Sequence, residues 1–400
     1  MTPTEPAPPT LYVEVLDDLR TIAAADWDAL AGPDNPFVEH AFLAALEESG
    51  SVAPETGWIP QHLVVRPGDA HGPDRAAPLL GAAPAYLKLH SYGEYIFDFA
   101  WAQAAARAGL RYYPKLLLAV PFTPATGPRL LVRPGADVHA VSRALAEGAA
   151  SLAEHSGLSG AHVLFSTDAE AARLATLGYS RRLSLQFHWH NAGYRDFDDY
   201  LDAFSAKRRK EIRRERRRAA AHGLTLRVLP GDALRPDHWR ALEAFYRRTV
   251  AARGGTDYLT PRFFALLPER LAHRVVAVIA ERDGRPVAGT LNFHKGSHLY
   301  GRYWGALEDL DALHFECCYH QLIEHAIAGG YSRFEAGAQG HHKLARGLLP
   351  SFTHSAHLLL HPGLAQAVDA FLLRETDHVR AEHAALSEHS PFREAVPPGP

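Results

Sequence analysis

The segment that decides the fold runs from Glu335 to Arg346 and reads E-A-G-A-Q-G-H-H-K-L-A-R. Residues 331–336, which overlap the start of this segment, have the apolar alternation of a β-strand. Gly337 and Gly340 can adopt positive φ and let a ligand approach the backbone closely. Because ligands of α/β folds bind at the carboxyl ends of strands, we expect the chemistry of this protein here.

Several side chains of this segment are candidates for catalysis. Glu335 is the leading candidate for the base, and His341 or His342 could serve instead because imidazole titrates near neutrality. An exposed strand carboxylate and a solvated histidine pair are the structural alternatives. Lys343 and Arg346, three residues apart, would share a helix face that either binds phosphate or remains solvated.

The length, composition and net charge of the chain predict an ordinary globular protein. It has 400 residues, of which 47% are hydrophobic and 22% charged, so two domains are expected. The formal net charge of −3 gives no global attraction to nucleic acid or to an anionic membrane. The two cysteines, Cys317 and Cys318, are adjacent, which favours a reducing compartment. With no recognisable signal peptide or bilayer-long apolar run, we expect a cytoplasmic protein without a transmembrane segment.

Motifs for metal, phosphate-loop or serine-nucleophile chemistry are absent from the sequence. His314, Cys317, Cys318 and His320 are close in sequence, but helical spacing would put at most two of them on one face. We therefore expect no metal.

One short segment concentrates positive charge. Residues 207–218 contain nine basic and two acidic residues, a net charge of +7, so the rest of the chain sums to −10. We expect a single helix over 200–221 whose basic face binds a polyanion such as tRNA, a nucleotide-sugar diphosphate or anionic lipid headgroups. Docking of this face on the acidic remainder of the chain is the alternative. The candidate polyanion-binding residues are Lys207, Arg208, Arg209, Lys210, Arg213, Arg214 and Arg217.

The order of predicted elements in the second half is specific. Asp283-Gly284 is a strong hairpin signal between two apolar runs, and a third run continues an antiparallel meander. A helix and a further strand follow, and this order resembles the layout of the GNAT acyltransferase fold. The predicted elements are strands at 275–281, 286–293, 298–304 and 332–336 and a helix at 313–328.

Distinctive blocks along the chain, together with the segment 335–347, resemble one family. It is the bacterial FemAB-like group of predicted N-acyltransferases, labelled peptidoglycan biosynthesis/recognition. The resemblance covers nearly all of 11–385. The other blocks are S-Y-G-E-Y-I-F-D (91–98), Y-Y-P-K-L (112–116), P-F-T-P-A-T-G-P-R-L (121–130), L-Y-G-R-Y-W-G (299–305) and H-F-E-C-C-Y (314–319).

The resemblance implies a fold and an activity. The fold is α/β with mixed sheets, in two tandem GNAT-like domains at 11–182 and 183–390, between disordered tails at 1–10 and 391–400. A weak internal similarity between 161–189 and 332–360 agrees with two similar domains. The implied activity is transfer of an acyl or aminoacyl group to an amine acceptor, such as a cell-wall precursor, in a groove between the domains. The alternative is a non-catalytic protein that binds a cell-wall precursor or tRNA.

The donor is expected in a gap between the last meander strand and the strand at 333–337, as in GNAT folds. Arg302 lies there between two tyrosines, and Glu316 or Glu335 could be its carboxylate partner. Tyr303 could protonate a leaving thiolate, although a packed aromatic ring is the alternative. The donor is either acyl-CoA or aminoacyl-tRNA, and three carboxylates, Glu308, Asp309 and Asp311, speak against coenzyme A because they would repel a pyrophosphate.

The remaining candidates are assigned to substrate binding. Polar and aromatic residues of the first-domain blocks are candidates for acceptor binding by the resemblance, with interface packing as the alternative. The full set is Tyr92, Glu94, Asp98, Trp101, Tyr113, Lys115 and Arg129 in the first domain and Asn292, Glu316, Gln339, Lys343 and Arg346 in the second.

Overall fold

Two β-sheets organise the protein. The computed structural model describes residues 10–337 and 340–394, within which one sheet has eleven strands and the other five. The strands are β1 Thr10–Leu16, β2 Trp58–Pro60, β3 His62–Asp69, β4 Gly72–Pro73, β5 Gly81–Ala83, β6 Ala85–Lys88, β7 Lys115–Leu118, β8 Leu131–Val132, β9 Gly160–Ser166, β10 Ser180–His190, β11 Thr225–Pro230, β12 Val275–Arg282, β13 Arg285–Lys295, β14 His298–Ala306, β15 Arg333–Glu335 and β16 Leu349–Leu359.

Helices cover the faces of these sheets. A π-helical turn, Glu316–His320, joins α10 to α11, and a 3-10 helix, His341–Arg346, precedes β16. None of the described helices has the length and apolar character that crossing a bilayer requires. The helices are α1 Ala24–Asp28, α2 His40–Glu48, α3 Phe99–Arg107, α4 Val138–His155, α5 Asp168–Ala175, α6 Phe197–Asp202, α7 Ala206–Ala220, α8 Pro236–Ala252, α9 Pro261–Arg270, α10 Leu313–Phe315, α11 Gln321–Ala328 and α12 Pro362–Glu388.

The large sheet runs continuously through both halves of the chain, in the order β11-β12-β13-β14-β15-β10-β16-β9-β7-β6-β2. The predicted antiparallel meander is present as β12–β14, and β14 then pairs in parallel with β15. The first half repeats this pattern, because β6 pairs antiparallel with β7 and β7 pairs in parallel with β9. The fold is therefore the predicted mixed α/β arrangement of two GNAT-like units.

Strands β10 and β16 join the two units at the centre of the sheet. β10 lies between β15 and β16, and β16 lies between β10 and β9. The predicted domain boundary at 182/183 falls inside β10. Because β16 pairs with β9 of the first half of the chain and β10 pairs with β15 of the second, the large sheet is continuous across this boundary. The division into separate domains stays a prediction.

The core lies on both faces of the large sheet, and β12 shows how the sequence produces it. Val275, Ala277 and Ile279 pack into one apolar cluster, and the alternate residues 276, 278 and 280 pack into a second. A strand buried on both faces needs an unbroken apolar run, and β12 begins V-V-A-V-I-A.

The prediction of one helix over 200–221 is wrong, because α6 ends at Asp202 and α7 begins at Ala206. Ser205 caps α7 by accepting a hydrogen bond from the backbone N–H of Arg208. Phe204, in the break, is fully buried, and its ring lies 4.5 Å from that of Phe392. Residues 391–394, predicted as the start of a free tail, therefore pack against the α6–α7 junction.

Candidate active site

β14 and β15 form a fork. They pair in parallel at only three positions, the last of which joins Tyr300 to Glu335. Beyond it β14 continues along β13 to Ala306, whereas the other chain turns away at Gly337, which has a φ of 81°. The sequence-predicted gap between these two segments is thus confirmed.

A cavity of about 700 Å³ occupies the fork. Its walls come from β13 and β14, from the end of α8 and the loop after it, from the π-helical turn and from the segment after β15. Tyr95 and Pro124 add a wall from the first half of the chain. This volume is typical of sites for small molecules and cofactors, so the fork is the candidate active site.

The charged residues that line the cavity are all cations: Arg253, Arg302 and Lys343. Among the described residues, no Asp or Glu side chain lines it. A partly enclosed cationic cavity attracts an anionic ligand and pairs well with phosphate oxygens.

The three carboxylates expected to repel a pyrophosphate lie outside the cavity lining. Two of them are paired with arginines, Glu308 with Arg282 at 2.5 Å and Asp311 with Arg218 at 2.9 Å. These carboxylates therefore do not face a ligand in the cavity, and the choice between acyl-CoA and aminoacyl-tRNA stays a prediction.

Lys343 is the buried cation of the site. It is only 3% exposed, and its Nζ donates a hydrogen bond of 2.7 Å to the carbonyl oxygen of Gly337. Burial lowers the pKa of Lys343 to about 8, so the ammonium form still predominates at neutral pH. Gly340, before the 3-10 helix that carries Lys343, has a φ of 106°, and a Cβ there would lie 2.4 Å from the His342 ring.

Two imidazoles line the cavity beside Lys343. Nε2 of His342 shares a hydrogen bond of 2.9 Å with the hydroxyl of Tyr319, and the ring of His314 packs edge-on against the same tyrosine. Burial lowers the pKa of His314 to about 4, so this imidazole is neutral at physiological pH. The predicted candidate Gln339 lies outside the described residues, as does the side chain of His341.

Arg302 connects the cavity to the first half of the chain. Its guanidinium donates to the carbonyl oxygen of Phe122 and lies 5.2 Å from the centre of the Tyr303 ring. Neither predicted carboxylate partner pairs with Arg302: Glu316 lies 3.1 Å from the guanidinium of Arg216 on α7, and Glu335 lies 3.0 Å from that of Arg333. Tyr303 lines the cavity, and burial raises the pKa of its hydroxyl.

Glu335 lies behind the wall of the large cavity. Its carboxylate accepts a hydrogen bond of 3.1 Å from the backbone N–H of Thr126 and lies 3.0 Å from the guanidinium of Arg333. Together with Arg302 it lines a second cavity of about 10 Å³, which has room for one water. Burial raises the pKa of Glu335. The residue is 3% exposed, so the alternative of an exposed strand carboxylate is wrong, and Glu335 ties β15 to the first half of the chain.

Arg346 and Lys343 do not act together, contrary to the prediction of a shared face. The guanidinium of Arg346 pairs with Glu215 of α7 at 2.6 Å and lies 3.5 Å from the centre of the Phe315 ring. Asn292 does line the cavity, where its amide nitrogen donates to the carbonyl oxygen of Val276 at 2.9 Å.

Three of the first-domain candidates, Lys115, Glu94 and Asp98, form a buried ion cluster rather than the lining of a groove. Nζ of Lys115 donates to Glu94 at 2.8 Å, to Ser91 at 3.0 Å and to Asp98. Burial raises the pKa of Glu94 to about 7. Burial alone would also raise that of Asp98, but the Lys115 ammonium lowers it to about 2. The large cavity is lined by none of the seven predicted residues, Tyr92, Glu94, Asp98, Trp101, Tyr113, Lys115 and Arg129.

Three further first-domain candidates are engaged in packing and in local hydrogen bonds. The hydroxyl of Tyr113 bonds to Ser91 at 2.7 Å, and Trp101 stacks under the guanidinium of Arg182 at 4.9 Å. Arg129 is fully buried and donates to carbonyl oxygens of its own loop, including that of Gly127 at 2.9 Å. These contacts hold the loops that carry Tyr95 and Pro124 to the cavity.

Replacing Lys115 by Met is expected to destabilise the protein by about 3–5 kcal/mol, because Glu94 and Asp98 would then be buried without their partner. Denaturant unfolding measures the loss. The triple variant Lys115→Met/Glu94→Gln/Asp98→Asn removes the uncompensated charges and should recover much of it. Equal stability of the single variant and the unchanged protein would contradict a role of this cluster as an anchor.

Helix α7 is partly paired with the chain's own carboxylates, as one alternative from the sequence proposed. Arg216 contacts Glu324 at 2.8 Å, and Arg209 contacts Asp202 at 2.8 Å. Four exposed residues have no ion pair among the described residues, and their spacing puts them on one helix face. We call this face the α7 stripe; it consists of Lys207, Lys210, Arg214 and Arg217.

Sequence reasoning missed the residues that complete the cavity. Several of them come from the end of α8 and the following loop, where the hydroxyl of Tyr246 accepts a hydrogen bond of 3.1 Å from the backbone N–H of Tyr258. Gly254-Gly255 marks a helix end but gives no signal of a site. No cluster of three or more metal-ligating side chains occurs within 10–337 and 340–394. The missed lining residues include Tyr95, Tyr246, Thr249, Arg253, Tyr258, Thr290, His314, Cys318 and Tyr319.

Comparison with known protein families gives one match. The sequence profile of the FemAB-like family, described as peptidoglycan biosynthesis/recognition, matches residues 18–394. No curated protein sequence matches the chain.

Three solved structures resemble the chain at low identity. FemX is 11% identical, with a TM-score of 0.51 over 87% of this chain and 98% of its own. A conserved protein of unknown function from Bacteroides thetaiotaomicron is 13% identical, with a TM-score of 0.51 over 87% of this chain and 100% of its own. A tandem GNAT protein from the clavulanic acid biosynthesis pathway is 16% identical, with a TM-score of 0.44 over 88% and 99%. At these identities, the similarity to FemX and to the Bacteroides thetaiotaomicron protein shows a shared fold.

Proposed function

The chain belongs to the FemAB-like family, and from that premise we propose that it is an N-acyltransferase that acylates the amine of a cell-wall precursor. The observation that carries the proposal is the cavity of about 700 Å³ in the fork, lined by three cations and by no described carboxylate. Such a cavity suits an activated acyl group whose carrier bears phosphates.

The carrier is an aminoacyl-tRNA. The α7 stripe supports this choice over an acyl-CoA because it offers an extended row of cations beyond the cavity. Helix α7 is tied to the cavity wall by the ion pairs Arg216–Glu316 and Glu215–Arg346. A polyanion on the stripe can therefore direct its acylated end into the fork.

The residues of the fork supply positioning and electrostatic stabilisation. The amine nitrogen of the acceptor attacks the acyl carbonyl, an amide forms, and the ester bond to the carrier breaks. Lys343 donates a hydrogen bond to the oxyanion that develops on the carbonyl oxygen. His342 accepts the amine proton, and Tyr319, at 2.9 Å from it, holds the imidazole in place. The proton then passes to the departing hydroxyl of the carrier.

Glu335 is a positioning residue in this account. Its hydrogen bond to Thr126 and its ion pair with Arg333 fix the loop that carries Pro124 to the cavity. Replacing Glu335 by Gln would keep the hydrogen bond to Thr126, so activity should fall far less than it would after loss of a catalytic base.

A transfer assay tests the proposed function. The protein is incubated with tRNA charged with labelled amino acids, or with labelled acyl-CoA, and with a nucleotide-linked cell-wall precursor that carries a lysine. We expect the label to move from tRNA to the lysine amine, as mass spectrometry of the precursor would show. Transfer from acyl-CoA alone would reject the tRNA carrier. Binding of the precursor without transfer from either donor would favour the non-catalytic alternative.

A further inference from the structure

The segment 89–100 has an inverted distribution of polar and apolar side chains. Both of its carboxylates, Glu94 and Asp98, are buried at 4% exposure on the Lys115 ammonium. Its exposed residues are all apolar or aromatic. Four of the eight large hydrophobic side chains that are exposed in the described residues fall within these twelve positions. We call these four the aromatic patch: Leu89, Tyr92, Phe97 and Phe99.

The rings of the aromatic patch form a contiguous surface. Phe97 stacks on Phe99 at 5.9 Å between ring centres, and Phe99 lies 5.8 Å from Tyr92. Phe97 is 61% exposed and Tyr92 is 57% exposed. The ion cluster beneath anchors the backbone of the segment, which keeps these rings at the surface. An anchored apolar surface of this kind marks an interaction site.

The stretch of chain that follows the aromatic patch, residues 99–136, carries positive charge only. No Asp or Glu occurs from 99 to 136. Arg107 is exposed two turns beyond Phe99 on α3, and Arg111 is exposed just after that helix. Arg182 donates a hydrogen bond to the carbonyl oxygen of Phe97. The same guanidinium lies 2.7 Å from Glu375 of α12 and so neutralises that carboxylate. Two exposed arginines, neither of which has an ion pair among the described residues, thus follow the exposed aromatic rings in the chain.

We propose that the aromatic patch docks the protein on the surface of a membrane that contains anionic lipids. Aromatic rings partition into the boundary between headgroups and acyl chains, and adjacent arginines bind anionic headgroups. This surface charge is local, so it is compatible with the overall net charge of −3. Tyr95 belongs to the same anchored segment and lines the cavity, so docking would bring the membrane surface close to the site. The proposal does not depend on the identity of the acyl donor.

Sedimentation with lipid vesicles tests the proposal. We expect the protein to bind vesicles of phosphatidylcholine and phosphatidylglycerol in equal parts and to bind pure phosphatidylcholine much more weakly. Replacing Phe97 and Phe99 by Ser should weaken binding by about tenfold or more, because two rings leave the interface. Replacing Arg107 and Arg111 by Gln should remove the preference for the anionic vesicles.

Two variants separate this effect from a loss of folding. Leu307→Ser removes a hydrophobic side chain of similar exposure, 45%, outside the patch and should bind like the unchanged protein. Phe97→Leu keeps an apolar side chain and should retain most of the binding. Failure of the unchanged protein to sediment with anionic vesicles would overturn the proposal, as would undiminished binding by the Phe97→Ser/Phe99→Ser variant. If these rings instead hold two copies together, the variant would convert a dimer to a monomer and no vesicle binding would be seen.

Discussion

Replacing Lys343 by Met is expected to lower kcat/KM for acyl transfer by about 10²–10³-fold, the usual cost of losing one oxyanion donor. The ammonium is buried in the fork, and a 2.7 Å hydrogen bond to the carbonyl oxygen of Gly337 holds it in place. Initial rates with a charged tRNA pool and a lysine-bearing precursor measure the effect.

The pH dependence of the same reaction tests the charge on Lys343. Burial lowers its pKa to about 8, and the charged form is the active one, so the rate should fall as pH rises through about 8. Lys343→Arg should move this fall to higher pH. If Lys343 were instead a neutral base, the rate would rise over that interval. Lys88, buried against Trp58 and outside the cavity, provides the control: Lys88→Met should retain transfer activity.

Replacing all four residues of the α7 stripe by Gln is expected to weaken tRNA binding by about 10²-fold or more at ~0.1 M salt. Each lost phosphate contact should also reduce the dependence of log K on log salt by about 0.7–0.9. The change in slope therefore counts the contacts directly. Filter binding of uncharged tRNA at several salt concentrations measures both quantities.

Two exposed arginines of α12 provide the matched control for the α7 stripe. Arg374→Gln/Arg380→Gln removes charge from another helix, and the salt dependence should then stay close to that of the unchanged protein. An unaltered slope in the α7 variant would contradict the proposed tRNA contact and would leave acyl-CoA as the donor to test.

The fork could be predicted from sequence because its determinants are local. The hairpin signal at Asp283-Gly284 sets the meander, and the glycines after β15 turn one side of the fork away. These features depend on turn chemistry and strand period, both of which a single sequence carries. The family blocks then supplied the order of the remaining strands.

The placement of β10 and β16 side by side at the centre of the sheet has only a weak sequence signal, the similarity of 161–189 to 332–360. These segments contain β9 with β10 and β15 with β16, which occupy equivalent positions in the sheet order β15-β10-β16-β9. Which unit a strand joins depends on contacts between residues far apart in the chain, and no local pattern specifies them.

Site residues were harder to predict because charge partners are set by tertiary packing. Glu335 and Lys343 lie in one short segment, yet Lys343 faces the cavity whereas Glu335 binds Thr126 behind it. Tyr95 reaches the cavity because Lys115 anchors Glu94 and Asp98 on either side of it. The residues predicted in segment 91–98 include the anchor, Glu94 and Asp98, and not the residue that lines the cavity, Tyr95.

The most direct test of the account is a crystal structure with a stable amide analogue of a 3′-aminoacyl-adenosine. We expect the aminoacyl group to lie in the fork between β14 and β15, with its carbonyl oxygen within about 3 Å of Lys343 Nζ. A saturated crystal with the analogue bound elsewhere and the fork empty would contradict it.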